Sequence, residues 1–148
     1  MRALIQRVSS ASVDVGGKRV SGIGRGLLIL LGVMKGDTDD DLKYILRKAA
    51  NLRIFEDDAG RMNLSVLDTK GEALVVSQFT LAADTRKGNR PSFVSAEAPE
   101  RAESVYEKFM MELAALGIKV RGGSFGAMMD VSLVNDGPVT ILLDSRQP

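Results

Sequence analysis

A cluster of polar side chains follows an apolar run near the middle of the chain. The segment VVSQFTL, residues 75–81, places Ser77, Gln78 and Thr80 close together with Phe79 between them. Ligand sites in α/β sheets favour the carboxyl ends of strands, where backbone amides can form an oxyanion hole and a hydroxyl can orient a substrate or act as a nucleophile. A serine and a threonine at a strand end are also common where no site exists. These residues alone leave both interpretations open.

The residue inventory restricts the chemistry of any such site. The chain contains no histidine and no cysteine, so it cannot form a Ser-His-Asp triad, a cysteine nucleophile or a zinc site of the usual imidazole or thiolate kind. A carboxylate, a lysine, a backbone group or the substrate would have to supply the base. No spaced pair of acids favours a magnesium site, so we expect no cofactor and no metal. Activation of Thr80 is hard to explain without a histidine, which favours the orienting role.

A second group of polar residues lies in a glycine- and proline-containing segment. TRKGNRPSF, residues 85–93, holds Arg86, Lys87 and Arg90 with no acidic residue between them. Such a segment is typical of a solvated loop, and it is also the best candidate in the chain for contacts with phosphates.

A third segment, NDGPVT, interrupts two runs that otherwise resemble strands. A hairpin turn between two strands needs only Asp-Gly, so Pro138 after Gly137 gives the backbone more rigidity than a turn requires. The simplest prediction is a hairpin, MMDVSLVNDGPVTILL, whose proline caps an edge.

Length and composition predict one soluble domain covering residues 1–148. Hydrophobic residues make up 45% of the chain and charged residues 26%, and 20 basic residues nearly balance 19 acidic ones. The longest apolar run, residues 27–31, is too short to cross a membrane, and the N-terminus has no signal-peptide pattern. We therefore expect a cytoplasmic protein without a membrane association, and the absence of cysteine fits a reducing compartment.

The hydrophobic patterns predict the order β-β-β-α-β-β-α-β-β-β. A helix is expected to follow the acidic residues at 37–41, and a second helix is expected from Pro99 to Gly117. EALVVSQFTL is predicted as a largely apolar central strand, and residues 82–98 form a long irregular segment of the kind that is usually functional. The predicted fold class is mixed α/β, with mostly antiparallel or mixed sheets layered or curled into a barrel-like unit and two helices on one side.

Together, SQFTL at residues 77–81, KGNRPSF at 87–93 and NDGPVT at 135–140 resemble the D-aminoacyl-tRNA deacylase family, also called D-tyrosyl-tRNA deacylase. The resemblance spans essentially the whole chain. The first and third motifs are the two signature segments of the family, and their order and separation make the match specific.

The resemblance implies a translation quality-control hydrolase that removes D-amino acids, and glycine mischarged onto alanine tRNA, from the terminal adenosine of tRNA. It implies a homodimer in which a cis Gly137–Pro138 bond enters the active site of the other subunit and excludes L-amino acids through main-chain atoms. It further implies that the 2′-hydroxyl of the substrate ribose assists, while main-chain groups near residues 77–80 polarise the ester. A covalent role for Thr80 is the second mechanism.

Two further roles follow from matching positions in the family. Arg7 is expected to support the Gly-Pro segment, and Met129 is expected to form a pocket wall. One departure is Met128, which stands where the family often has an acidic residue, so any bracing by that acid differs here.

Two rival hypotheses remain. The first is a homodimer that binds nucleic acid through the basic loop without turnover, and the intact signature motifs argue against it. The second is a purely structural dimer, which leaves the Gly137–Pro138 pair unexplained.

Overall fold

The computed structural model describes residues 1–147, which form eight strands, two α-helices and one short 3₁₀-helix. The elements follow the chain in this order: β1 (Arg2–Val15), β2 (Lys18–Ile23), β3 (Gly26–Gly32), α1 (Asp39–Asn51), β4 (Phe55–Glu56), β5 (Met62–Leu64), β6 (Glu72–Ser77), the 3₁₀-helix (Phe79–Ala82), α2 (Pro99–Ala115), β7 (Lys119–Gly122) and β8 (Asp130–Asp144).

One mixed sheet organises the domain. Its strand order is β2-β1-β3-β6-β7, and β8 pairs with the other edge of β1. The strands β3, β6 and β7 run parallel to one another, whereas β1 is antiparallel to β2, β3 and β8. The Ser21 hydroxyl on β2 donates to the Gly122 carbonyl on β7 at 2.7 Å, which brings the ends of the sheet together. The nearly closed, barrel-like sheet with two helices confirms the predicted fold class.

The apolar runs of β3 and β6 are explained by burial on both faces of the sheet. On β3, Leu27, Ile29 and Leu31 pack into the layer under the helices, which also contains Phe109 of α2. Leu28 of the same strand packs into a second cluster on the opposite face. Strands covered on both sides lose the alternation of apolar and polar residues that a one-sided strand shows.

Local signals position both helices as predicted. The Asp41 carboxylate accepts hydrogen bonds from the backbone amide and the hydroxyl of Thr38. The two residues form a capping box at the start of α1. Pro99 occupies the first turn of α2. Gly117 follows that helix with a φ of +92°, a conformation that suits glycine at a helix end.

The predicted C-terminal hairpin is wrong. Residues 130–144 form the single strand β8, which pairs with β1 on both sides of the Gly-Pro segment. Asn135 is paired with Val8 and Thr140 with Gln6, so residues 136–139 form a bulge opposite Arg7 alone. The long strand β1 holds both halves of β8 in register, and for that reason the chain does not reverse at Asp136.

Two smaller predictions are also corrected. The strand EALVVSQFTL ends at Ser77, and its last residues form the 3₁₀-helix. Met128 and Met129 lie in a loop before β8 rather than in the strand, and Met128 is 90% exposed. Within residues 1–147, no helix has both the length and the apolar character needed to cross a membrane.

Candidate active site

A cavity of about 560 Å³ opens where β6 ends. Ser77, Gln78 and Phe79 line one side of it. The opposite side is a segment that we call the wall loop, residues 123–129, which contributes Phe125 and Met129. The polar strand end and the predicted pocket methionine therefore line the same cavity, and most of the remaining lining is apolar.

The 3₁₀-helix positions backbone donors beside this cavity. The Gln78 amide donates to the Leu31 carbonyl at 2.8 Å, which continues the β3–β6 pairing for one more residue. The chain then turns, and the amides of Phe79 and Thr80 donate to no acceptor within the described part of the chain. Free amides are what the first turn of a helix leaves, and they are the groups that can bind an oxyanion.

The Thr80 hydroxyl is already engaged by its neighbour. The Gln78 side-chain amide donates to the Thr80 oxygen at 2.5 Å. Nothing in this contact removes a proton from Thr80, because an amide is not a base. Thr80 is absent from the residues that line the cavity.

The bulge that contains Gly137 and Pro138 is held from beneath. The peptide bond between these residues is cis, and both residues are exposed. Arg7 is 5% exposed; its Nε donates to the Asp136 carbonyl at 2.7 Å and its Nη1 to the Ile54 carbonyl at 2.6 Å. The Arg7 guanidinium thus ties the bulge to the segment that follows α1.

The Asn135 side chain supports the same bulge from within. Its oxygen accepts the Val139 amide at 2.7 Å, and its nitrogen donates to the Thr140 hydroxyl at 3.0 Å. Asn135 belongs to the NDGPVT motif, but the sequence reasoning assigned it no role. Asparagine side chains often form hydrogen bonds with the backbone of a neighbouring turn, and this tendency is a sequence signal that could have identified Asn135.

The bulge and the cavity are separate within one chain. Arg7, opposite the bulge, is paired with Leu27 on β3, whereas Ser77 is paired with Leu31. The bulge on β8 and Ser77 on β6 are therefore three strand spacings apart, roughly 14 Å, and offset by four residues along β3, roughly 13 Å. The predicted catalytic residues and the predicted chiral filter do not meet within one chain.

The basic loop, residues 85–93, ends close to the cavity, because the ring of Phe93 lies edge-on to the ring of Phe79 with the centroids 5.1 Å apart. The Arg86 guanidinium donates to the Asp84 carboxylate at 2.6 Å, and this hydrogen bond lowers the pKa of Asp84 to about 2. Lys87 and Arg90 are exposed, and neither forms an ion pair within residues 1–147.

Glu97 is a cavity residue that the sequence reasoning missed. The Ala98 amide donates to it and Arg101 is its ion-pair partner, and these contacts lower the pKa of the Glu97 carboxyl. A carboxylate whose oxygens are bound in this way is unsuited to act as a general base. Across residues 1–147, no group of three or more acidic side chains could hold a metal ion.

One family model and several curated relatives match this chain over nearly its whole length. The model of a family described as D-Tyr-tRNA(Tyr) deacylase matches residues 4–144. A D-aminoacyl-tRNA deacylase of Roseiflexus castenholzii is 66% identical, with 100% of this chain and 96% of that protein covered. A protein of the same name from Aquifex aeolicus is 56% identical, with 99% of each chain covered.

Two solved structures show the same fold. A c-Myc DNA Unwinding Element Binding Protein superposes with a TM-score of 0.92 at 46% identity, over 97% of this chain and 98% of that one. The structure of a probable eukaryotic D-amino acid tRNA deacylase gives a TM-score of 0.80 at 19% identity over 96% and 97% of the two chains, a likeness of fold alone.

Proposed function

Since this chain belongs to the D-Tyr-tRNA(Tyr) deacylase family, we propose that it is a hydrolase that cleaves the ester between a D-amino acid and the terminal adenosine of tRNA. The observation that carries the proposal is the cavity at the end of β6, which is lined by Ser77, Gln78 and Phe79 with its free amide and contains no imidazole or thiol. Such a site suits an ester that is already labile and needs positioning and polarisation more than a strong nucleophile.

In the proposed reaction, water attacks the ester carbonyl, and the free amide of Phe79, a residue that lines the cavity, binds the oxyanion that forms. The carbonyl then re-forms as the bond to the ribose 3′-oxygen breaks, and this oxygen leaves with a proton. The neighbouring 2′-hydroxyl of the substrate assists by relaying the proton that the attacking water loses to the departing 3′-oxygen. The products are the free D-amino acid and tRNA, and no cofactor enters the reaction.

The direct test uses matched substrates. Purified protein is incubated with D-tyrosyl-tRNA, L-tyrosyl-tRNA and glycyl-tRNA(Ala), and release of the amino acid is followed over the spontaneous rate. We expect rapid loss of the D-ester and of glycine, which has no side chain to exclude, while the L-ester persists. Equal rates for the D- and L-esters would contradict the proposal.

Thr80→Ala separates the two mechanisms. Loss of a covalent nucleophile costs about 10⁶-fold in kcat, whereas loss of an orienting hydroxyl costs about tenfold or less. We expect the smaller effect, because Gln78 engages the Thr80 hydroxyl and no base lies beside it. Single-turnover rates with D-tyrosyl-tRNA measure the difference, and Thr69→Ala, which lies away from the cavity, is the control. Complete inactivity of folded Thr80→Ala would restore the covalent mechanism.

We further propose that selectivity for D-amino acids comes from Gly137 and Pro138 of a second subunit. The backbone of this bulge has a fixed shape, so it can reject a substituent on one side of the α-carbon whatever the side chain is. The separation of bulge and cavity within one chain supports this arrangement, because only a partner can place the bulge over the cavity.

The sheet offers a surface for such a homodimer. Leu142, Leu4 and Leu30 are register partners on three neighbouring strands, and Val76, the next in the row, lines the cavity. Leu142 is 58% exposed, and Leu4 and Leu30 are half-buried. A contiguous apolar row on the face away from the helices is typical of a protein–protein interface. A second copy packed here would extend the wall of the cavity.

The basic loop is proposed to contact the phosphates of tRNA. Lys87 and Arg90 are free to do so, whereas Arg86 is partly neutralised by Asp84 and is expected to contribute less. Phe93 packs against Phe79 at the end of this loop, and this contact supports a position of the positive charge near the proposed binding site of the tRNA end.

Salt dependence tests the basic loop. Each lost phosphate contact lowers the slope of log affinity against log salt by about 1. We expect Lys87→Ala and Arg90→Ala each to do so in filter-binding measurements with uncharged tRNA, and Arg86→Ala to have a smaller effect. Identical slopes for all three variants and the wild type would show that the loop does not contact the phosphates of tRNA.

A second candidate function is nucleic-acid binding without turnover, because one structural neighbour is a DNA unwinding element binding protein at 46% identity. The substrate test above separates the two functions, since a pure binding protein would leave every ester intact.

A further inference from the structure

The wall loop has few contacts of its own to fix its position. It lies between β7 and β8, and its internal bonds are a turn from the Ala127 amide to the Ser124 carbonyl and a 3.4 Å contact from the Ser124 amide to the Met129 sulfur. Nevertheless it supplies one side of the cavity. Something outside the loop must therefore hold this side at a set distance from Ser77.

The buried hydroxyl of Tyr106 takes part in that connection together with a backbone hydrogen bond. Tyr106 lies on α2, is 3% exposed, and donates to the Val75 carbonyl at 2.9 Å. The same oxygen accepts the Gly123 amide, the first of the wall loop, at 3.1 Å. The Gly123 amide also donates directly to the Val75 carbonyl at 3.0 Å, so the amide, the carbonyl and the hydroxyl form one three-way contact. Val75 is two residues before Ser77 on β6, and this contact therefore joins the two sides of the cavity, with the hydroxyl as its only side-chain member.

Backbone and side chains pack closely around this hydroxyl. A Cβ on Gly122 would lie 2.9 Å from the Tyr106 oxygen, and a Cβ on Gly123 would lie 2.8 Å from the Met129 sulfur. The ring of Tyr106 also contacts that of Phe125, with the centroids 6.0 Å apart. Burial raises the pKa of Tyr106 to about 12, so the phenol stays protonated and remains a donor at physiological pH.

We propose, on the basis of the function proposed above, that Tyr106 is a positioning residue for the deacylase site: its hydroxyl sets the spacing between the wall loop and the end of β6. It touches no reacting atom. Its effect passes through Gly123 to Phe125 and Met129, and through Val75 to Ser77, so its loss would widen the cavity and loosen the fit of the aminoacyl-adenosine end.

Tyr106→Phe is the test, because it keeps the ring and its contact with Phe125 and removes only the hydroxyl. We expect KM for D-tyrosyl-tRNA to rise about tenfold with kcat within about twofold, and the ratio of D- to L-ester cleavage to fall. Tyr44→Phe, at the only other tyrosine, is the matched control and should leave both constants unchanged. Met129→Leu combined with Tyr106→Phe should cost less than the sum of the two single effects, because the residues act on the same wall.

A fall in melting temperature with unchanged KM and unchanged D/L ratio would overturn the proposal, because it would assign Tyr106 a purely structural role. If the wild type cleaves no D-ester, the proposed function fails instead. The inference is then tested by calorimetric binding of a non-hydrolysable D-tyrosyl-adenosine amide, for which equal affinity of wild type and Tyr106→Phe overturns it and weaker binding to the variant supports it.

Discussion

Replacing Gly137 by Ala is expected to lower deacylase activity by about 100-fold or more, because a displacement of about 1 Å at a reacting centre is enough for such a loss. A Cβ at this position would lie 2.7 Å from Val139 Cγ2 and 2.9 Å from the Val139 amide nitrogen, and 3.2 Å from the Arg7 guanidinium. The φ of Gly137 is +146°, which L side chains rarely adopt. The bulge must therefore shift, and the backbone surface that is proposed to face the α-carbon shifts with it.

Gly60→Ala is the matched control. Gly60 also has a positive φ, +72°, but a Cβ there would meet no atom within 4 Å. Gly60 lies in the turn between β4 and β5. Its replacement by alanine should therefore lower stability without lowering activity. Initial rates with D-tyrosyl-tRNA, measured well below each melting temperature, compare the two variants. Near-normal activity and selectivity in folded Gly137→Ala would show that the shape of the bulge has no role in the reaction.

Subunit mixing tests whether the bulge acts across a dimer. Ala102 lines the cavity, so Ala102→Trp should fill it and inactivate the subunit that carries the change. If bulge and cavity belong to different subunits, unfolding and refolding a mixture of Gly137→Ala and Ala102→Trp restores one intact site in each heterodimer, or about a quarter of wild-type activity after random pairing. No recovery, with heterodimers demonstrated by mass spectrometry, would place both parts in one chain.

Arg7→Met is expected to have the second large effect, on stability and activity together. It removes two charge-assisted hydrogen bonds, to the Asp136 and Ile54 carbonyls, from a side chain that is only 5% exposed. Such bonds contribute about 1.5–3 kcal/mol each, so the loss of both should lower the free energy of unfolding by about 3–6 kcal/mol. Because the lost contacts hold the bulge, activity at a temperature where the variant is folded should fall by about tenfold or more.

Arg19→Met is the control for this change. Arg19 pairs with Asp14 at 2.8 Å, but its side chain is 62% exposed, and exposed ion pairs contribute about 0–1 kcal/mol. Urea denaturation followed by circular dichroism compares the two variants with the wild type. Equal midpoints for Arg7→Met and Arg19→Met would show that the guanidinium beneath the bulge is not a structural anchor.

Much of the fold and part of the candidate site could be predicted from local patterns. Acidic residues before an apolar helical periodicity marked α1, and Pro99 and Gly117 marked the two ends of α2, because capping depends on a few neighbouring residues. The lack of histidine and cysteine excluded whole classes of chemistry, because those classes require a particular side chain wherever it lies in the fold. The segment at Ser77 was identified as a strand end, and the structure places a cavity there.

Long-range pairing settled what local patterns leave open. Asp-Gly-Pro resembles a hairpin turn when only its neighbours are considered, yet it forms a bulge because β1, more than a hundred residues earlier, pairs with the chain on both sides of it. In the sequence, Tyr106 resembles an ordinary buried residue of a helix. Only the arrangement of the sheet shows that its hydroxyl contacts both Val75 and Gly123. Residue types and local patterns therefore specified the elements and the available chemistry, whereas register and long-range hydrogen bonds determined which residues share a site.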